Sequence, residues 1–162
     1  MTDILAPEQR SLRMAAVRTV STGPELIVRR LLHGAGFRYR LNARKLPGSP
    51  DIVLPKWNIA VFVHGCFWHG HDCSLFKLPA TRTDWWRAKI LSNMARDRRA
   101  IDGLVRDGWR VMVVWQCTLK GKGRLPPERL CALLSEGVRG GATVVEIRGI
   151  SSRDPHGGVA AI

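Results

Sequence analysis

The chain has 162 residues, 45% of them hydrophobic, and a formal net charge of +13. This length and apolar content suit one globular domain and exclude a disordered tail. Arginines interrupt the first thirty residues and no run of 18 apolar residues occurs, so we expect neither a signal peptide nor a membrane span, and a cytoplasmic location. The positive charge is spread along the chain and predicts a folded face that binds nucleic acid, with a merely solvated basic surface as the alternative.

The N-terminal half predicts a helix followed by three strands. A loose segment with a weak helix over 11–18 comes first. Thr22 and Glu25 have the spacing of a capping box and open a helix that ends at Gly34 and Gly36. Short strands are expected over 37–41 and 51–54, on either side of the turn at 47–50. The strand at 57–64 contains a continuous apolar run, which is typical of a central strand covered on both faces.

The C-terminal half alternates helices with apolar strands. We expect a loop over 65–82, a long helix over 83–107, a buried strand over 109–116, a helix from Pro126-Pro127 to about Gly137, and an edge strand over 142–147. This order predicts a three-layer α/β fold around a mixed sheet. The expected organisation is an N-terminal segment over 1–20, a main domain over 21–150 and a flexible tail over 151–162.

Cysteines and a histidine have the spacing of a metal site. Three sulfurs and one nitrogen form the closed tetrahedral set of structural zinc, and the candidate ligands are Cys66, His71, Cys73 and Cys117. Because Cys117 follows a predicted strand, zinc would tie the 65–82 loop to the end of that strand and stabilise it. His69 is a competing ligand that spacing does not exclude, and unligated reduced cysteines are a further alternative. Cys131 fits a small buried hydrophobe.

Candidate catalytic residues lie at the ends of two neighbouring strands. Asp51 begins one strand and His64 ends the next, so the two side chains are expected to converge. Asp51 offers a hard oxygen ligand suited to magnesium, which can polarise a scissile phosphate and acidify water; a turn-capping aspartate is the alternative. His64 and His69 can accept a proton from water or shield a phosphate charge, or they can pack within the loop.

One face of the long predicted helix has an unusual composition. Trp86, Lys89, Asn93 and Asp97 recur at steps of three and four and therefore share that face. This mixture is typical neither of a core nor of a solvated face. Lys89 and Asn93 could offer hydrogen bonds to base edges while Asp97 reaches back to a histidine. A mixed surface with no such role is the alternative.

Two aromatic residues and a methionine are candidates for inserting into DNA. Phe67 and Trp68 stand between the metal ligands in a loop, where no periodicity places them inside. Apolar side chains beside a basic face can wedge between base steps, and Met14 could do the same from the N-terminal segment. A local mini-core around the zinc is the alternative for Phe67.

Taken together, these residues resemble the very short patch repair (Vsr) endonucleases, which are bacterial DNA mismatch enzymes. The similarity covers about two thirds of the chain, from about residue 10 to residue 117. It is carried by Arg10-Ser11-x-x-Met14, Thr22-x-Pro24-Glu25, Leu46-Pro-Gly-x-Pro-Asp51, Val63-His-Gly-Cys-Phe-Trp-His69, Phe76-Lys-x-Pro79, Thr81-Arg82-Thr83, Trp86, Asn93, Asp97-Arg-Arg99 and Gly108-Trp109-Arg110-Val111.

The resemblance implies a restriction-endonuclease-like nuclease domain over 21–150, preceded by a DNA-contacting segment over 1–20, and strand-specific nicking of DNA. The nick would fall 5′ to the thymine of a T:G mismatch, which arises when 5-methylcytosine deaminates. Magnesium would be held by Asp51 and the backbone carbonyl of Val63, and Glu25 would hold metal-bound water. The implied protein is a monomer of the bacterial cytoplasm, on the nucleoid when bound, with links to a cytosine-5 methyltransferase and to mismatch-repair proteins.

The same resemblance assigns the remaining site residues. His69 would activate the attacking water, with support from His64 and Asp97. The structural zinc would be held by Cys66, His71, Cys73 and Cys117. The side chains that open the duplex would be Met14, Phe67, Trp68 and Trp86, and those that read the mismatch would be Lys89 and Asn93.

The sequence departs from related patterns at a few positions. The wider nuclease superfamily has an acidic-x-lysine motif where this chain has Phe62-Val63-His64, a substitution for which the Vsr family is known. Val63 replaces an expected threonine, which a carbonyl ligand tolerates although any hydroxyl contact is lost. Ala15 and the residues after Lys120 show no clear match to the family, which leaves minor-groove contacts and the preferred DNA sequence context open.

Two other functions stay open at this point. One is a restriction-type nuclease of the same fold with a relaxed mismatch requirement, which would cut perfectly paired DNA as fast as mismatched DNA. The other is a non-catalytic zinc-containing DNA-binding module. Binding alone would not require the polar set of Asp51, His64, His69 and Asp97, so the sequence favours an enzyme.

Overall fold

The computed structural model of the protein describes residues 9, 21–41, 43–151, 155 and 157–161. Within that part of the chain the helices are α1 (Gly23–Gly34), α2 (Thr83–Arg106) and α3 (Pro127–Arg139). The strands are β1 (Arg40–Leu41), β2 (Ile52–Leu54), β3 (Ile59–His64), β4 (Arg110–Trp115), β5 (Val144–Arg148) and β6 (Gly158–Ala161). The helix predicted over 11–18 and the contact predicted for Met14 lie outside the described residues.

The strands form one mixed sheet in the order β1-β2-β3-β4-β5-β6. β3, β4 and β5 are parallel to one another, and the other neighbouring pairs are antiparallel. The prediction that the 57–64 strand is central is confirmed, because β3 lies between β2 and β4. The prediction of an edge strand at 142–147 was wrong: β6 covers β5, and β6 forms from residues 158–161 of the segment that we expected to be a flexible tail.

Helices cover both faces of the sheet. On one face Val61 and Met112 pack with α1 and α3, while on the other face Phe62 and Val113 pack with α2 through Leu104. This division follows the alternation of side chains along β3 and β4. It confirms the predicted three-layer α/β fold. None of the helices among the described residues has the length and apolar character needed to span a membrane.

The capping interactions at the start of α1 fix a carboxylate in place. Thr22 Oγ1 accepts a hydrogen bond from the Glu25 backbone N–H at 3.4 Å and donates one to Glu25 Oε1 at 3.0 Å. The backbone N–H of Ser21 donates to Glu25 Oε2 at 2.9 Å. The predicted cap is therefore confirmed, although Glu25 reaches back one residue further than a capping box does. Only 3% of Glu25 is exposed.

The loop over 65–82 crosses the carboxyl ends of β3 and β4. His64 is the last residue of β3, and Cys117 follows β4 in a short 3-10 turn (Gln116–Thr118). The loop packs closely on α2 at Gly70, which has a φ of +64°; a Cβ at that position would lie 2.6 Å from Met94 Sδ. The carboxyl ends of parallel strands are where α/β sheets place their ligand sites.

Candidate active site and zinc centre

A cavity of about 1020 Å³ opens beside the ends of β2 and β3 and between α1 and α2. The predicted catalytic residues all line it, although they come from five separate segments of the chain: Glu25, Asp51, Val63, His64, His69 and Asp97. Basic side chains line the same cavity, namely Arg44, Arg96 and Lys120. Carboxylates and histidines surrounded by cations suit a site that binds and hydrolyses a phosphate group.

Asp51 is held against the end of β3. The backbone N–H of Val63 donates to Asp51 Oδ2 at 2.8 Å. Because the N–H and C=O of one strand residue point the same way, the Val63 carbonyl faces the same edge. Burial raises the pKa of Asp51 to about 6, the Val63 hydrogen bond opposes that rise, and the nearby Glu25 charge adds to it. A buried carboxylate beside a second carboxylate and a carbonyl is a donor set that fits a hard divalent cation.

In magnesium-free buffer, Asp51→Asn is expected to stabilise the protein, with a gain that grows by about 1 kcal/mol between pH 5 and pH 7.5. The folded-state pKa of Asp51 lies near 6 and above its ordinary value of 3.8. The folded protein therefore holds the proton more tightly, and its stability falls as the pH rises from about 4 to about 6. Asparagine has a similar shape and no charge to bury. Urea unfolding at both pH values measures the difference.

The control for this prediction is Asp84→Asn, because the Asp84 side chain is 97% exposed. It removes the same charge from the surface and should show no comparable dependence on pH. A stability difference between wild type and Asp51→Asn that is the same at pH 5 and pH 7.5 would contradict the prediction.

His69 and Asp97 form a hydrogen-bonded pair in the cavity. His69 Nδ1 lies 2.5 Å from Asp97 Oδ2, which confirms that Asp97 reaches back from α2 to a histidine. This bond assigns the Nδ1 proton to the Asp97 side and leaves Nε2 as the free base. Burial raises the pKa of Asp97, but the hydrogen bond and the charge of His69 outweigh it and the net shift is downward. Asp97 therefore stays ionised and stabilises His69 when it accepts a proton.

His64 stacks on His69 with the ring centroids 3.8 Å apart and the planes 4° from parallel. Burial lowers the pKa of His64 to about 3, with the neighbouring His69 as the next contribution. His64 is therefore neutral near pH 7. A neutral ring at this distance fixes the orientation of His69 and does not oppose its accepting a proton.

The four predicted zinc ligands come together on the same side of the sheet as α2. The ligand atoms of Cys66, His71, Cys73 and Cys117 all lie within 4.8 Å of one another. The distance from Cys117 Sγ to His71 Nδ1 is 3.6 Å, which is close to the ligand-to-ligand spacing of about 3.5–3.8 Å that tetrahedral zinc requires. Because His69 groups with His64 and Asp97 instead, the geometry favours His71 as the nitrogen ligand.

The protonation of the cysteines is consistent with a metal centre. A hydrogen bond from the Cys66 thiol lowers the pKa of Cys117 to about 4, and further hydrogen bonds from His71 and the Gly149 N–H act in the same direction. The hydrogen bond to Cys117 and burial raise the pKa of Cys66. One thiolate is thus already stabilised in the folded protein, and a cation of +2 charge favours the others.

Trp115 lies between the cysteine cluster and the histidines of the cavity, a position that the sequence did not reveal. Its ring stacks on His71 with centroids 4.2 Å apart and meets His64 edge-on at 5.4 Å. Its indole N–H donates to Glu146 Oε2 at 3.3 Å. Trp115 belongs to the strand that the sequence predicted to be buried, and its side chain is buried; its position directly before Gln116 and Cys117 was the available signal.

The aromatic residues predicted to enter DNA form one cluster. Phe67 lies 5.2 Å from Trp68 and 5.3 Å from Trp86 between ring centroids, and Phe76 lies 6.4 Å from Phe67. Phe67, Trp68 and Trp86 are each half-buried. They support one another in the way that a mini-core does, and still present apolar surface.

The two polar residues predicted to read bases differ in exposure. Lys89 is exposed on α2, whereas Asn93 is only 6% exposed. The Asn93 amide donates to the carbonyl of Trp68 at 2.9 Å and accepts from Arg96 Nη2 at 2.9 Å. In this structure Asn93 therefore holds the backbone of the aromatic loop, and base reading by Asn93 stays a prediction.

A buried arginine beside Glu25 was also missed. Arg29 Nη2 lies 2.9 Å from Glu25 Oε2, and Arg29 Nη1 donates to Ser21 Oγ at 3.3 Å. Only 6% of Arg29 is exposed. The signal in the sequence was the spacing of four residues between Glu25 and Arg29, which places an acid and a base on one helix face.

Comparison with known proteins gives consistent matches. The family model described as "DNA mismatch endonuclease Vsr" matches residues 2–75. The chain is 42% identical over 152 residues to the DNA mismatch endonuclease Vsr of Escherichia coli (strain K12), covering 93% of this chain and 97% of that protein. It is 53% identical over 125 residues to the type II nicking enzyme V.XorIIP of Xanthomonas oryzae pv. oryzae, covering 77% of this chain and 92% of that protein.

A third relative extends this agreement. The type II nicking enzyme V.NmeAIP of Neisseria meningitidis is 44% identical over 136 residues, which cover 84% of this chain and 96% of that protein. Identities of this size extend over nearly the full length of the relatives. They agree with a fold that brings Asp51, His69 and Asp97 into one cavity beside the mixed sheet. The chain therefore belongs to the Vsr DNA mismatch endonuclease family.

Proposed function

We propose that the protein nicks one strand of DNA 5′ to the thymine of a T:G mismatch, the product of 5-methylcytosine deamination, and so starts very short patch repair. Membership of the Vsr family supports this function. The observation that carries it is that one cavity is lined both by Asp51 and by the hydrogen-bonded pair of His69 and Asp97. The aromatic loop at Phe67 and Trp68 lines the same cavity.

We propose magnesium as the cofactor of the reaction. Asp51 and the carbonyl of Val63 would hold it, with Glu25 as a further carboxylate in the cavity. The bound cation supplies charge stabilisation to the scissile phosphate and lowers the pKa of water. The hydrogen bond from the Val63 N–H keeps Asp51 turned towards the cavity, so the carboxylate needs no rearrangement when the ion binds.

His69 is the proposed general base. Its Nε2 takes the proton from the attacking water, and the adjacent Asp97 carboxylate stabilises the positive imidazolium that results. His64 remains neutral and keeps the His69 ring in one plane. The water attacks the phosphorus in line with the bond to the leaving oxygen.

We propose that zinc occupies the cysteine cluster as a structural ion. Cys66, His71 and Cys73 come from the loop that carries His69, and Cys117 comes from the end of β4. Zinc would therefore hold the catalytic and aromatic residues of the loop in a fixed position.

The DNA-contacting roles follow the layout of α2 and the loop. Phe67, Trp68 and Trp86 would insert beside the mismatch, because their cluster presents apolar surface next to a cavity whose lining includes basic side chains. Lys89 and Asn93 would read the mismatched bases. Met14, from the N-terminal segment, lies outside the described residues and keeps its predicted role as a further wedge.

A nicking assay tests the proposal. End-labelled duplexes that carry T:G or T:A at one position are incubated with the zinc-loaded protein and magnesium. We expect one nick in the T:G duplex, 5′ to the thymine, and none in T:A. His69→Ala should slow nicking about 100- to 10,000-fold because a general base is lost, while the exposed His33→Ala in α1 should leave it unchanged.

The other outcomes decide between the alternatives. Equal cutting of T:G and T:A duplexes would indicate a restriction-type nuclease with a relaxed mismatch requirement. Tight binding without nicking in any divalent metal would indicate a DNA-binding module. Unchanged nicking by His69→Ala would remove His69 from its proposed role.

A further inference from the structure

Arg29 lies beside the Glu25 carboxylate and outside the cavity wall. We propose that its positive charge offsets part of the negative charge of Glu25 and Asp51, so that a divalent cation binds tightly only when the DNA phosphate is also present. The inference rests on the proposed function, because it concerns the proposed magnesium site. It assigns a role to a residue that neither the catalytic set nor the DNA-contacting set contains.

The geometry places Arg29 one helical turn after Glu25 and away from solvent. Its guanidinium lies 2.9 Å from the Glu25 carboxylate, yet Arg29 is not part of the cavity wall that Glu25 and Asp51 form. Its Nε is buried and has no hydrogen-bond partner among the described residues. A buried guanidinium keeps its charge, and water screens it little.

The charges around the cavity explain the expected effect. Glu25 and Asp51 together offer two negative charges, and Arg29 cancels one of them. A divalent cation that binds to this net charge of −1 leaves an excess of +1. The scissile phosphate carries one negative charge. The charges of Glu25, Asp51, Arg29, the cation and the phosphate therefore sum to zero when cation and DNA are both present.

A purely structural ion pair makes a different prediction. Glu25 and Arg29 could simply stabilise α1, and loss of Arg29 would then lower stability without strengthening metal binding. If Arg29 acts as a countercharge, its removal should instead make the free protein bind the cation more tightly. The affinity of the free protein for a divalent cation therefore distinguishes the two roles.

The test is a titration of the zinc-loaded, DNA-free protein with Mn²⁺, which prefers oxygen ligands as magnesium does and is detected by its electron paramagnetic resonance signal. Arg29→Met should bind Mn²⁺ at least about 10-fold more tightly than wild type, since the removed charge lies close to the ion in a poorly screened site. Arg29→Lys, which keeps the charge, should bind within about threefold of wild type. The matched control is Arg30→Met, because Arg30 is the exposed neighbour on α1, and it should change the affinity less than twofold.

Equal Mn²⁺ affinities for wild type and Arg29→Met, within twofold, would overturn the proposal. If Arg29→Met fails to fold because Glu25 is left unpaired, the comparison moves to Glu25→Gln against Glu25→Gln with Arg29→Met, and the same 10-fold gain is expected. Nicking of the T:G duplex by the wild-type protein is measured separately. Its absence would defeat the proposed function, whereas the Mn²⁺ comparison reports on Arg29 alone.

Discussion

Asp51→Asn is expected to lower the rate of nicking at a T:G mismatch by at least about 1000-fold, with duplex affinity in metal-free buffer unchanged within about threefold. Several kcal/mol of transition-state stabilisation come from a bound metal in hydrolysis of this kind, and each 1.4 kcal/mol is a factor of ten. Asparagine can still accept the hydrogen bond from the Val63 N–H. It therefore preserves the local structure and removes only the charge that holds the cation.

Single-turnover nicking and an electrophoretic mobility shift measure the two halves of this prediction. Asp84→Asn on α2 is the control, because it also removes one negative charge but from an exposed side chain. A rate within tenfold of wild type would remove Asp51 from the metal site. A parallel loss of rate and affinity would indicate a role in binding DNA instead.

The parts of the structure that depend on local pattern were predictable from the sequence. The apolar run of β3 indicated a strand covered on both faces, and Thr22 indicated the start of α1, because strand burial and helix capping depend on residues adjacent in the chain. The spacing of Cys66, His71 and Cys73 indicated a metal site for the same reason. β6 was not predicted, because Gly158–Ala161 is short and flanked by glycine and forms a strand only by pairing with β5.

Burial and pairing across the fold were not predictable in the same way. Helical spacing placed Asn93 on the same face as Asp97, but it carried no information on depth, and the loop backbone at Trp68 covers that position. The spacing of Glu25 and Arg29 places an acid and a base on one helix face but does not show that both are almost fully buried, so the pair was missed. The choice between His69 and His71 needed the position of Asp97, which lies 28 residues from His69 in the chain.

A row of ring contacts connects the proposed zinc site to the proposed general base. His71 stacks on Trp115, Trp115 contacts His64, and His64 stacks on His69. The ligand of the proposed zinc is therefore connected to the proposed general base through two intervening side chains. Loss of the ion should disturb catalysis as well as stability, because it frees the loop that carries His69.

Cys117→Ser is accordingly expected to abolish zinc binding, to lower the free energy of unfolding by about 3 kcal/mol or more, and to eliminate detectable nicking. Structural zinc in small domains binds with a free energy of about 10–16 kcal/mol. Losing even part of that free energy destabilises a protein more than most single substitutions do. Cys117 is the proposed ligand that would tie the loop to β4; it lies 3.6 Å from His71 and accepts a hydrogen bond from the Gly149 N–H at 3.4 Å. Metal analysis by mass spectrometry and urea unfolding measure the first two effects.

The chain contains its own control, because Cys131 is the cysteine outside the cluster. Cys131→Ser makes the same chemical change on α3 and should retain one zinc per chain and the wild-type nicking rate. Cys117→Ser that keeps its zinc would show that the remaining ligands suffice and that the loop is not closed through β4. Cys117→Ser that loses its zinc but still nicks at the wild-type rate would show that the ring contacts through Trp115, and not the ion, hold His69 in place.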